Sequence, residues 1–504
     1  MRCLTLADAL RHRGAATRIL SRAHPGHLID LVRQRSFDVT ALPMGSQAIS
    51  GTGDAEDYGA WLGATPDEDA DQTRRALKGE HVDWLIVDHY GLDARWETSL
   101  RSCAAKLMVI DDLANRPHDC DALLDQNYAD HPEARYEGLV SHQAVWMLGP
   151  RHALLRPEYL RYRWLERRRD GRVQRVLVFF GGSDPGDMTG MMFEALSMPQ
   201  FAHLELHLVV GANYAHRERL ERAASTRPGT YIHPPRPHLA DLMWEADIAI
   251  GAGGSTTWER MCVGVPSIVI SIARNQEPAC RALADAGAIL YLGSGEKVGK
   301  ADLIRALQQC QSHPEFLVDF SVRSQLMVDG FGTLRVCEYL DPTPADAIQL
   351  RPATANDKVL FFAWANDPEV RKQAIQTSSI PWAQHDAWFD GRLASPDSQL
   401  FVATAGDLPV GQIRFDRDGD ELRIDYSVDR LFRGRRWARR IVALGMARAC
   451  MSDARVFRAE VKEANRRSAA VFRGLGFEAR PERATRGLEV FVFDPSRQPL
   501  PMMS

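Results

Sequence analysis

Short aliphatic runs that end in polar or glycine-rich turns dominate the first two thirds of the chain. Val82–Tyr90 (VDWLIVDHY) and Lys106–Ala114 (KLMVIDDLA) are apolar through most of their length and close on polar residues. Runs without alternation indicate strands buried on both faces, as in a parallel sheet covered by helices. A second set begins at Arg175 with RVLVFFGGSDP and continues through Leu204–Asn213. It ends in Asp247–Ile270 (DIAIGAGGSTTWERMCVGVPSIVI), which reads strand, glycine loop, helix, strand. The pattern predicts an α/β fold of two Rossmann-like halves, residues 1–150 and 151–340, divided near the Arg/Tyr/Trp-rich stretch Arg151–Arg172. A linker follows at Asp341–Ala347 (DPTPADA), where two prolines discourage helix. Beyond it the period shifts. QLFVATAG, LPVGQIRFD and ELRIDYSVD read as antiparallel strands, the last alternating like a half-buried one, and predict an α+β domain over residues 348–495.

Bulk properties narrow the function. At 504 residues the chain is too long for one core. A formal net charge of −4 supplies no overall positive field for nucleic acid or anionic membranes. The 8 cysteines are scattered and form no CxxC pair, so a zinc or dithiol site is not expected, and a reducing cytoplasm is. No apolar stretch approaches the ~18 residues of a membrane span, and the amino terminus lacks an apolar signal core.

Gly251–Thr257 lies between a strand and a helix. Glycines let backbone N–H groups approach a ligand, and a helix N-terminus favours an anion, so this turn is a candidate diphosphate cradle. Gly253, Gly254, Ser255 and Thr256 are its candidate contacts, and Ser255, Thr256 and Thr257 are also expected to cap the helix. Glu259, one turn on, is a candidate for ribose hydroxyls, and Asn275 and Gln276 present amides at the same rim. Gly181–Asp184 is a second glycine turn whose Gly182 and Ser183 are expected to line the cleft; a plain turn capped by Ser183 or Asp184 fits equally well.

Together with Val82–Arg101, Lys106–Asn127 and VLVFFGGSDP, this block resembles the UDP-2,4-diacetamido-2,4,6-trideoxy-β-L-altropyranose hydrolases of pseudaminic acid biosynthesis, over residues 1 to about 335. The resemblance implies a GT-B-like pair of Rossmann halves and metal-free release of UDP and free sugar, with water as nucleophile. Through the family's D-x-Y segment it implies that Asp88 and Tyr90 contact substrate. The family opens with a strand and a G-x-G-H-x-x-R-like loop whose histidine is the expected base. Here Met1–Leu10 matches only the end of that segment and its first helix; Arg2 matches the arginine and nothing matches the histidine. Either a longer true start or a half that binds UDP-sugar without hydrolysing it accounts for this, and the first is the favoured expectation. His89 and His118 sit near strand ends, but neither is assigned as the base.

The C-terminal third resembles GNAT N-acetyltransferases. Ile348–Arg371 carries a W-x-N-D segment at Trp364–Asp367. In Glu421–Ala447 a strand ending at Val428 meets a basic turn and a helix. Arg433, Gly434, Arg435, Arg436, Trp437 and Ala438 stand where that family has R/Q-x-x-G-x-G/A, the grip on the coenzyme A pyrophosphate, although Arg436 replaces the middle glycine. A solvated basic helix start remains open for this turn. Glu460–Arg480 resembles the closing motif, with Asn465 and Ser468 matching and Phe472 in place of the usual tyrosine. Asp425 and Tyr426 are candidates for acid–base work; they fit equally a surface carboxylate and a core ring.

Both resemblances point to one pathway, in which acetylation of a UDP-4-amino-sugar immediately precedes loss of UDP. They imply acetyl-CoA and a UDP-linked amino sugar as inputs, no metal, no nucleic acid and no membrane. A UDP-sugar glycosyltransferase, a legionaminic-type substrate and an inactive UDP-sugar-binding first module are the alternatives.

Overall fold

The computed structural model describes residues 1–45, 58–165, 167, 169–182, 184–449, 456–483 and 487–501. The chain separates into two compact units, Met1–Leu340 and Asp341–Ser504.

The first unit holds three parallel sheets. β1 (Arg18–Arg22) pairs with β2 (Asp38–Leu42). β3 (Val82–Val87), β4 (Ala104–Ile110), β5 (Ala122–Asp125) and β6 (Val145–Leu148) pair in chain order. Alternation along β4 and β5 explains why their sequences are apolar throughout. Leu107, Val109 and Leu123 face Trp96, Leu100 and Tyr136 on one side, while Met108, Ile110 and Leu124 face Leu6, Leu10 and Val336 on the other.

The third sheet contains β7 (Arg175–Phe179), β8 (Glu205–Val209), β9 (Thr230–His233), β10 (Ile248–Ala252), β11 (Ser267–Ser271) and β12 (Leu290–Ser294). Their order is β12-β11-β10-β7-β8-β9, so the direction of progression reverses between β7 and β10. In parallel sheets, ligands bind beyond the carboxyl ends of strands at such a reversal. The helix Pro157–Trp164 belongs to this half: Arg163 donates to the carbonyls of Cys262, Val328 and Gln325. The helix Gly332–Leu340 returns to the first half, where Val336, Cys337 and Leu340 share a core with Met108 and Ile110.

The second unit is one seven-stranded sheet in the order β13-β14-β15-β16-β17-β19-β18. Its strands are β13 (Gln349–Pro352), β14 (Ser398–Ala405), β15 (Leu408–Asp418), β16 (Glu421–Val428), β17 (Val456–Lys462), β18 (Glu478–Ala479) and β19 (Leu488–Phe493). β16 and β17 pair in parallel only from Glu421–Arg423 to Val456–Arg458. Beyond that they part, while β15 and β19 keep their outer edges paired. The wedge leaves inner backbone groups open at the ends where Val428 and Lys462 lie, next to the helix Trp437–Ala449. Among the described residues no helix is long and apolar enough to cross a membrane.

Candidate functional site

In the first unit the register decides the site. Gly251 at the end of β10 lies beside Phe179 at the end of β7. The turns Gly181–Gly182 and Gly251–Gly254 therefore open on the same edge, on either side of the reversal. A Cβ on Gly251 would stand 2.5 Å from the Phe179 carbonyl oxygen, so only glycine fits this approach. Gly182 backs onto Gly211, where a Cβ would also strike backbone. Gly254 differs: among the described residues its only neighbour within 4 Å of a Cβ position is Gln276 Nε2, at 3.6 Å. Gln276 is held by accepting the Ile272 N–H at 3.0 Å, which leaves its amide nitrogen toward the loop. Asn275 sits half-buried in the same turn, Arg274–Gln276.

The helix Thr256–Val263 starts at this loop, but the expected side-chain caps are not formed. Ser255 is exposed and makes no capping bond, because its backbone is already helical. Thr257 Oγ1 instead donates to the Ala252 carbonyl at 3.3 Å. The Thr257 and Trp258 N–H groups close on the Gly254 and Ser255 carbonyls at 2.9 and 3.1 Å, so the turn offers an anion the N–H groups of Ser255 and Thr256 and the Ser255 hydroxyl. Glu259 turns to the Tyr159 hydroxyl, and burial pushes its carboxyl up to about 7. At the second glycine turn, Asp184 accepts the Met188 and Thr189 N–H groups at 3.0 and 2.8 Å, so it caps the next helix; Ser183 lies outside the described residues.

In the first half of this unit, carboxylates collect where β3, β4 and β5 end. Arg2 donates to Asp88 at 2.7 Å and to Asp112 at 3.1 Å. Burial opposes ionisation of Asp88, but the Arg2 guanidinium outweighs it and holds the carboxyl below its usual range. The Tyr90 hydroxyl bonds Asp112, and burial followed by that neighbour raises the phenol well above the tyrosine range. Tyr58 and Trp61 pack on the Tyr90 ring with centroids 5.0 and 6.1 Å away. Both nearby histidines are held through Nδ1, while the buried Nε2 of His118 has no hydrogen-bond partner among the described residues. His89 Nδ1 accepts the Gly91 N–H at 3.0 Å while the ring also bonds the Trp61 backbone. His118 is buried, with Nδ1 on Glu97 at 2.7 Å.

In the second unit the basic turn is pinned from within. Arg433 donates to Asp367 at 2.7 Å and to the Val428 carbonyl at 3.1 Å. Trp364 donates to Asp429 at 2.9 Å, so the W-x-N-D segment braces this turn. Arg435 lies over the Phe432 and Trp437 rings, 5.3 Å from each centroid. Trp437 is buried and Ala438 half-buried at the helix start. Gly434 and Arg436 are exposed, with φ of 86° and 64°. Arg436 thus adopts a left-handed angle that ordinarily favours glycine.

Asn465 caps the helix Arg466–Gly474 by accepting the Ser468 N–H at 3.1 Å. Ser468 Oγ and the Tyr426 hydroxyl are 3.1 Å apart, and the Tyr426 ring meets Phe472 edge-on at 5.8 Å. Burial raises the Tyr426 phenol above its usual range, so it is protonated at neutral pH. Asp425, one residue earlier on the strand, points to the opposite face, where it pairs with Arg414 at 3.0 Å. Among the described residues no group of three or more His, Cys, Asp or Glu is arranged to hold a metal ion.

Comparison with known proteins divides the chain in the same way. Residues 348–478 match the acetyltransferase (GNAT) domain family. The spore coat polysaccharide biosynthesis protein SpsG of Bacillus subtilis is 28% identical over 270 residues, covering 53% of this chain and 78% of that protein. The UDP-2,4-diacetamido-2,4,6-trideoxy-beta-L-altropyranose hydrolase of Campylobacter jejuni is 25% identical over 213 residues, covering 42% and 74%. The uncharacterized protein MJ1062 of Methanocaldococcus jannaschii is 21% identical over 425 residues, covering 80% and 82%. That last span is longer than the first unit and necessarily enters the second. The chain is a fusion of a segment homologous to the hydrolase and SpsG with a C-terminal GNAT domain.

Proposed function

We propose that this chain is a bifunctional enzyme of nucleotide-sugar synthesis. Its GNAT unit acetylates the 4-amino group of a UDP-linked 2-acetamido-4-amino-4,6-dideoxy sugar from acetyl-CoA. Its first unit then hydrolyses the UDP-2,4-diacetamido-2,4,6-trideoxy-β-L-altropyranose so formed. The observation that carries the first half is the opening of two glycine turns on one sheet edge at the β7/β10 reversal. The diphosphate lies against Gly253, Gly254, Ser255 and the N–H of Thr256 at the start of the following helix, while Gln276 and Asn275 face it from the next strand end. Asp88, kept ionised by Arg2, and Tyr90 contact the sugar across the cleft. Water attacks the anomeric carbon, the bond to the diphosphate breaks, the proton shed by the water passes to solvent, and UDP leaves with its new charge stabilised by the loop.

In the GNAT unit the wedge between β16 and β17 takes the extended arm of acetyl-CoA. The exposed Gly434–Arg436 turn and the helix at Trp437–Ala438 take the pyrophosphate. The substrate amine attacks the thioester carbonyl, the C–S bond breaks, and the departing thiolate takes a proton from the Tyr426–Ser468 pair; the proton shed by the amine passes to solvent, from which the phenol is reprotonated. Tyr426 serves as an acid because its buried phenol stays protonated. Arg433 and Arg435 shape the turn through Asp367 and Trp437.

Incubating the protein with the diacetamido UDP-sugar and following UDP tests the first activity. Adding acetyl-CoA to the 4-amino precursor and following free thiol tests the second. A second reading, a first unit that binds UDP-sugar without cleaving it, is favoured by the internal bonds of the His89 ring to Gly91 and the Trp61 backbone and by the burial of His118. UDP binding without UDP release is its signature.

A further inference from the structure

The helix that starts at the Gly251–Thr257 loop buries an arginine among apolar neighbours. Trp258, Met261, Cys262 and Val263 are all buried, as this face of a helix under a parallel sheet demands. Arg260 lies with them, only 2% exposed. Its Nη2 donates to the Ala252 carbonyl at 2.9 Å and to Thr257 Oγ1 at 3.0 Å, and its Nη1 to Thr256 Oγ1 at 3.2 Å. All three partners are neutral, and Nε has none. The adjacent Glu259 hydrogen-bonds Tyr159 and is itself pushed toward its neutral form. Buried cations are ordinarily paired, because desolvation without a counter-charge is costly.

The guanidinium sits directly beneath the loop. A Cβ on Gly251 would come within 2.9 Å of Nη1. The side chain thus holds both ends of the cradle, the Ala252 carbonyl behind it and the two threonines at the helix start. Burial lowers its pKa to about 10, which leaves it cationic at neutral pH.

We infer that Arg260 is the standing positive charge of the nucleotide site, and that the anion completing its pairing is the diphosphate of the ligand lying on the other side of the loop. This rests on the reading of the loop as a nucleotide cradle. Arg260 acts through the loop, as a positioning residue, without itself touching the ligand. The charge is specific for the anionic part: nucleoside diphosphates depend on it and uncharged nucleosides do not.

Titration calorimetry of the full chain with UDP and with uridine tests this in the parent, Arg260→Gln and Arg260→Lys. A parent that does not bind UDP sinks the nucleotide reading itself. Given a parent that binds, Arg260→Gln is expected to lose tenfold or more in UDP affinity while uridine affinity changes less than about twofold. Arg260→Lys, which keeps the charge, is expected to hold the UDP-to-uridine ratio within about threefold of the parent. Equal losses for the two ligands, or an unchanged UDP affinity in Arg260→Gln, would overturn the inference. Should the glutamine variant fail to fold, the lysine variant decides alone: a collapsed ratio refutes the inference and a retained one upholds it.

Discussion

The hydroxyl of Tyr426 lies 3.1 Å from that of Ser468, and its ring packs edge-on against Phe472. Tyr426→Phe is expected to lower kcat about tenfold or more with little change in the KM for acetyl-CoA, since general-acid assistance is lost and binding is not. Adding Phe472→Tyr to that variant is expected to restore part of the rate. Burial raises the phenol, so the acid form persists above the usual tyrosine range, and the alkaline limb of the kcat profile should lie above about pH 10. Steady-state kinetics across pH check all three.

Arg436 occupies a left-handed backbone angle, φ 64°, on an exposed turn. An unbranched side chain tolerates this at a cost of about 1–2 kcal/mol, and a β-branched one does so far less readily. Arg436→Gly is therefore expected to fold at least as well as the parent and to keep the KM for acetyl-CoA within about threefold. Arg436→Val is expected to lower stability by about 1–2 kcal/mol and to raise that KM more than tenfold by displacing the backbone N–H groups. Thermal melts together with acetyl-CoA titrations separate the two effects.

Much of this architecture is legible in the residues. Leu107–Ile110 and Leu123–Leu124 are apolar on consecutive positions because both faces of their sheet are covered. The strand–glycine–helix order around Gly251 follows from the same logic. What local patterns do not carry is long-range register. That Gly182 and Gly251 open on one edge depends on β7 pairing with β10 across some seventy intervening residues. The pinning of Arg433 likewise depends on Asp367, which is remote in sequence, so a basic turn read as a row of phosphate ligands contains two arginines with internal work. The opposite orientation of Asp425 and Tyr426 was within reach of the alternation in ELRIDYSV. Arg260 carried a signal too, as the one cation in the stretch WERMCV.

Glu259 provides a pH-dependent test of the loop. Its carboxyl titrates near 7 in the folded chain and near the usual 4.5 when unfolded, because burial disfavours the anion. A raised carboxyl means that the folded state holds a proton which the unfolded state has released. Stability is therefore lost as pH rises from about 4.5 to 7 and stays lowered above that. Glu259→Gln removes this loss. Its melting temperature should match the parent near pH 4.5 and exceed it at pH 8, by the equivalent of about 3 kcal/mol. Parallel pH dependences in the two proteins would reject the assignment.

Gly251 and Gly254 separate folding from binding within a single turn. A methyl group at Gly251 meets the Phe179 carbonyl oxygen at 2.5 Å and Arg260 Nη1 at 2.9 Å, so the backbone must shift. Gly251→Ala is expected to cost about 1–3 kcal/mol of stability as an overpacking change, and UDP affinity should fall with it. Among the described residues a methyl group at Gly254 meets only Gln276 Nε2, at 3.6 Å, an ordinary contact with the far end of a flexible side chain. Gly254→Ala is therefore expected to melt within a degree or two of the parent. If the open space above Gly254 is where the diphosphate rests, that same methyl group should weaken UDP binding tenfold or more. Calorimetric titration beside a thermal melt decides it: a Gly254→Ala protein that binds UDP as the parent does would move the ligand away from this loop.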